Sequence, residues 1–187
     1  MIETLSKNLW LLLTVVLPGF FTYGLWRLCL FFVTEKPLSD EALKQIDEST
    51  MTTTCIIFAF ALMQQAIAIA IEWVFFMLGN SKRKKSPFRI LFCDRFNLAY
   101  QGRLNERAER MIGNFFSSLN VCIGICLLIG YFYGHIGYAK SADVIWALLI
   151  LLPPAAITTY FRMTIAEKVI SECKNMPEKS DSNQSVS

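Results

Sequence analysis

The stretch CIIFAFALMQQAIAIAIEWVFFML, residues Cys55 to Leu78, decides the fold. Apart from Gln64, Gln65 and Glu72 it is apolar from end to end. It exceeds the ~18 to 20 residues with which a helix crosses ~30 Å of hydrocarbon. A surface helix of a soluble protein would show a broad polar face instead. Three further runs share this character: Leu9 to Val33, Ile112 to Tyr133 and Val144 to Phe161. The expected fold is all-α, a polytopic membrane protein built as a four-helix transmembrane bundle. With its connections it fills residues 1–175 of 187 as one domain, which leaves no room for a second.

The connections differ in charge. From Ser81 to Arg110 the bases Lys82, Arg83, Lys84, Lys85, Arg89, Arg95, Arg103, Arg107 and Arg110 face only Asp94, Glu106 and Glu109. The loop 34–54 instead holds Glu35, Asp40, Glu41, Asp47 and Glu48 against Lys36 and Lys44, with a short surface helix expected near Ser39 to Ile46. The third connection, His135 to Asp143, is short and nearly uncharged. Basic loops remain inside, so the 81–110 loop and both termini are expected in the cytoplasm, with the acidic loop 34–54 and the third connection outside. The first span is too long for a signal peptide and lacks a small-residue cleavage site after it, so it is expected to be retained. Of six cysteines none lies in an outer loop and none forms C-x-x-C, which indicates neither a disulfide framework nor a zinc site.

Proline marks two spans. Pro18 with Gly19 in the first, and Pro153 with Pro154 in the fourth, remove backbone donors and predict kinks. Arg27, about six residues from the outer end of the first span, either snorkels to the interface or acts as a functional charge. In the second span Thr54, Ala61, Gln65, Ala68, Glu72 and Gly79 fall on one stripe at ~100 degrees per residue. Such small and polar stripes let membrane helices approach closely and hydrogen-bond. The third span has two rows of this kind, Gly113, Ser117, Asn120 and Gly124 along one and Asn114, Ser118, Cys122 and Cys126 along the other, and is expected to be central. After the fourth, residues 162–174 place Met163, Ala166, Ile170 and Cys173 on one face of a cytoplasmic amphipathic helix. The tail 176–187 has the composition of a disordered segment.

No nucleophile with a base, paired carboxylate or H-E-x-x-H set is legible, so neither an enzyme nor a cofactor is expected. His135, the only histidine, reads as a turn residue between Gly134 and Gly137. Lys82, Arg83, Lys84, Lys85, Arg89 and Arg95, interleaved with Phe88, Phe92 and Phe96, suit anionic lipid or a cytoplasmic protein partner, with no direct binding of nucleic acid. Gln65, Glu72 and Asn120 are the polar groups that hydrocarbon penalises most. Two readings of them stay open: glue between helices of one bundle, or the lining of an ion path in a homo-oligomeric channel.

A four-span chain of this size, with no catalytic signature and an inner surface for a partner, resembles the membrane component of two-protein anti-phage defence systems such as Kiwa. The resemblance covers the chain in span number and length, and no individual residue carries it. It implies a homo-oligomeric sensor in the inner membrane that recruits a cytoplasmic, nucleic-acid-binding effector. The function expected is therefore a non-catalytic membrane subunit that couples an envelope event to a cytoplasmic protein, the alternative being the channel.

Overall fold

A computed structural model describes residues 2–34, 50–79, 94–102 and 104–175. Its elements are α1 (Ile2–Thr34), α2 (Thr50–Gly79), the short α3 (Arg95–Tyr100), α4 (Glu106–Tyr131), a π-helical turn (Phe132–Ile136) and α5 (Tyr138–Asn175). The described regular structure is all helical, and α1, α2, α4 and α5 are long and apolar enough to cross a membrane. The acidic loop's residues 35–49, the basic cluster with Arg89 and the tail 176–187 lie outside the described residues.

All four long helices begin earlier than their apolar runs, and in α4 and α5 the local reasons are visible. The Asn105 side chain accepts a hydrogen bond from the Ala108 amide at 2.8 Å, capping α4, and Glu106 and Glu109 complement the positive end of its dipole. This carries helix through the charged stretch before Ile112. At the opposite end Gly137, at φ +88°, closes the π turn in a conformation that side-chain-bearing residues rarely adopt. Ser141 Oγ then donates to the carbonyls of Gly137 at 2.8 Å and Phe132 at 3.1 Å, so α5 starts at Tyr138 and not at Val144. It runs unbroken to Asn175 through Pro153 and Pro154, just as α1 runs through Pro18.

The segment 162–174 is the last part of α5. Its apolar face, Met163, Ala166, Ile170 and Cys173 with Val169, is buried against α3 and the start of α4 together with Leu98, Ala108, Ile112 and Phe115. That face is consumed inside the chain. A second core at the opposite end joins Cys29 of α1, Ile125 and Leu128 of α4, Phe132, and Val144, Ile145 and Leu148 of α5. α4 packs against all three other long helices. Its apolar window is 44% buried, against 22% to 28% for the others, so α4 is the centre of the bundle.

Candidate functional site

The polar residues of the bundle gather in two places. In its middle, Gly19 of α1 lies so close to α2 that a Cβ there would come within 2.8 Å of both Ala61 Cβ and the Ile57 carbonyl. Close backbone approach of this kind is what small residues supply between membrane helices. One turn further along α1, Gln64 Nε2 donates to Thr22 Oγ1 at 2.5 Å, both side chains being fully buried. Gly124 of α4 abuts this pair: a Cβ on it would collide with Thr22 Oγ1 and stand 2.6 Å from Gln64 Nε2. One turn before Gly124, Asn120 Nδ2 donates to Gln65 Oε1 at 3.1 Å. Three helices thus meet in a neutral amide and hydroxyl seam. Gln64 Oε1 and Asn120 Oδ1 are buried in it with no hydrogen-bond partner among the described residues.

The second place is the end of the bundle that carries the basic loop. Glu72, near the end of the second span, forms an ion pair with Arg95, the first residue of α3. Both side chains are largely buried, with 11% and 16% of their surface exposed. The Arg95 guanidinium also stands 5.1 Å from the Phe116 ring centroid on α4. Burial pulls its pKa below the ordinary arginine range, against the charge and hydrogen bond of Glu72. Beside it, Asp94 accepts a hydrogen bond from Lys174 at the end of α5, 3.0 Å away. Leu98, on the next turn of α3, enters the core between α4 and α5. Short α3 is therefore clamped to the other three helices of its end by one apolar, one cation–π and two ionic contacts.

Among the residues singled out in the sequence, Ala61, Ala68 and Glu72 are buried, while Gln65 is half-buried. Asn120 and Gly124 are buried in the seam, Ser117 and Gly113 are half-buried, and Ser118 lies on the α5 side of α4. Cys122 Sγ meets Thr159 Oγ1 of α5 at 3.3 Å. The two polar rows of α4 therefore serve different neighbours in part: Asn120 and Gly124 of the first meet α1 and α2, while Ser118 and Cys122 of the second meet α5. Arg27 donates to the Tyr23 hydroxyl at 3.1 Å on its own helix. Arg95, grouped in the sequence with the lipid-facing or partner-facing bases, turns inward to Glu72. Lys82, Arg83, Lys84, Lys85 and Arg89 lie outside the described residues.

No protein-family model, curated protein or solved structure matches this chain. Its site is therefore read from its own geometry.

Gln64 was not singled out by its spacing, although it is the more deeply buried of the adjacent pair. The missed signal is the series Ile57, Ala61, Gln64, Ala68, whose steps of four, three and four residues trace one helical face. Thr22, its partner, is one of three hydroxyl residues in the run Leu9 to Val33, with Thr14 and Tyr23, and carries no periodic signal that sets it apart.

Proposed function

We propose that this chain is a non-catalytic relay of a bacterial inner membrane, both termini inside, which passes a change in its membrane bundle to a cytoplasmic protein docked on the basic loop. One observation carries the reading: the Glu72–Arg95 pair joins the end of a span to the first helix after the basic cluster. A shift of α2 against α4 would pull on α3 directly, and through it on the segment 80–93. The partner would meet the bases Lys82 to Lys85 and Arg89, because the apolar face of residues 162–174 is already covered by α3 and α4. Anionic headgroups would compete for the same bases, giving the relay a released and a docked state. A two-protein anti-phage system is one setting that such a subunit suits.

The engagement of Gln65 by Asn120 and of Glu72 by Arg95 within one chain favours this reading over an ion path, which needs those groups turned to water. The test is native mass spectrometry of the tagged chain purified from its own membrane. A second, cytoplasmic protein in fixed ratio, lost when Lys82, Arg83, Lys84 and Lys85 are replaced by Glu, is the expected result. A ring of identical chains alone, with conductance abolished by Glu72→Leu, would overturn it in favour of the channel.

A further inference from the structure

Between α1, α4 and α5 the side of the bundle carries a cleft of about 320 Å³. Phe21 of α1, Val121 and Ile125 of α4, and Leu151, Pro154 and Ala155 of α5 line its apolar length. Its rim residues Phe21, Leu151 and Thr158 are exposed on the apolar surface of the bundle, so the cleft opens sideways to the hydrocarbon. Towards the basic-loop end the lining becomes polar, with Ser117, Thr158 and Arg162. The outline is that of an amphiphile: a long apolar furrow with a cation at one end.

Arg162 is the decisive residue. Its Nη1 donates to Ser118 Oγ at 2.6 Å and to the Asn114 carbonyl at 3.1 Å, which fixes the guanidinium over α4. Guanidinium has five N–H donors in a planar fork, and among the described residues Nε and Nη2 bond to nothing. No carboxylate among the described residues pairs with it. The residue directly follows the apolar run Val144 to Phe161, at the depth where hydrocarbon gives way to headgroups. A cation held there without a carboxylate is matched by a phosphate oxygen, which arginine binds in a bidentate, charge-assisted geometry.

We infer that this cleft is a binding site for one anionic phospholipid, with its phosphate on Arg162 and one acyl chain along the furrow beside Pro154 and Ala155. Ser117 donates a further hydrogen bond to the phosphate. Thr158, whose hydroxyl proton is already given to the Pro154 carbonyl at 2.8 Å, accepts from a headgroup hydroxyl. The site uses none of the bases at residues 82–85, and the inference does not depend on the relay reading.

The full chain in detergent, with Lys82, Arg83, Lys84 and Lys85 replaced by Gln to remove the competing cluster, is titrated with phosphatidylglycerol or with phosphatidylcholine of the same chains and followed by native mass spectrometry. One phosphatidylglycerol per chain is expected to remain bound about fivefold more tightly than the zwitterionic lipid, the value of one cation near an anionic headgroup. Arg162→Gln removes this preference and Arg162→Lys keeps most of it. Ala155→Phe, which fills the furrow while leaving the guanidinium in place, weakens both lipids. Unchanged preference in Arg162→Gln, unchanged binding in Ala155→Phe, or displacement of the lipid by glycerol 3-phosphate alone would each overturn the assignment.

Discussion

The seam in the middle of the bundle and the clamp at its basic-loop end solve the same problem with different chemistry. The seam joins α1, α2 and α4 with neutral amides and a hydroxyl, packed so tightly that α1 and α4 each offer a bare glycine. The clamp joins α2, α3 and α5 with full charges. In a chain that spans a bilayer, depth explains the choice: a charge at the centre is far costlier than a neutral amide, whereas towards the edge a paired charge costs less. The lesson is that the seam holds by fit and the clamp by charge. Substitutions that change volume should therefore hurt the seam, and those that change charge should hurt the clamp.

The largest effect is expected at Gly124. Gly124→Leu drives a side chain into Thr22 and Gln64 and should cost about 3 kcal/mol, read as a fall in thermal unfolding temperature in detergent. An unchanged melting temperature would mean that the three helices do not meet there. Next comes the clamp. Glu72→Ala leaves Arg95 largely buried and should cost about 2 kcal/mol, while the exchange Glu72→Arg with Arg95→Glu should recover part of it, a recovery that packing alone does not produce.

Replacing Gln64 by Leu is milder, at about 1 kcal/mol, because a single hydrogen bond between membrane helices is worth little. Adding Thr22→Val should bring stability back towards that of the parent, since removing both partners strands no polar group. The smallest effect belongs to a pair that joins nothing. Glu106 and Arg110 are each 60% exposed and lie on one helix, so Arg110→Ala should move the unfolding temperature by no more than about 0.5 kcal/mol allows, and less in high salt. Salt sensitivity in Gly124→Leu but not in Glu72→Ala would invert the comparison.

Hydropathy made the four long helices legible, because each apolar run is long enough to form a candidate membrane span. Their ends were less so: α4 and α5 both start six residues before their apolar runs, on the strength of an asparagine cap and a serine that bridges two carbonyls. In the seam, the small and polar rows pointed to Ala61, Ala68, Asn120 and Gly124, since helical periodicity is a local property. The stripe drawn through Gln65 lay a fraction of a turn away from the buried face through Gln64. The partner of Glu72 was illegible for a different reason. Arg95 lies 23 residues further along the chain, beyond a connection whose path periodicity does not describe. Charge runs also read as surface, so an inward-turned member of a basic loop carries no mark.

The order in which these helices emerge during synthesis gives the hydrogen bond between Gln65 and Asn120 another meaning. α4 and α5 are joined by a few residues and share their most extensive interface, so they can close on one another as soon as both are made. α1 and α2 appear first, with Gln64 already able to reach Thr22 but with Gln65 still lacking Asn120. Until α4 arrives, that amide lacks its partner. The first half of the chain is thus an unfinished surface awaiting its own second half, and a ribosome stalled between residues 79 and 106 would leave two packed helices primed to pair with the wrong third one.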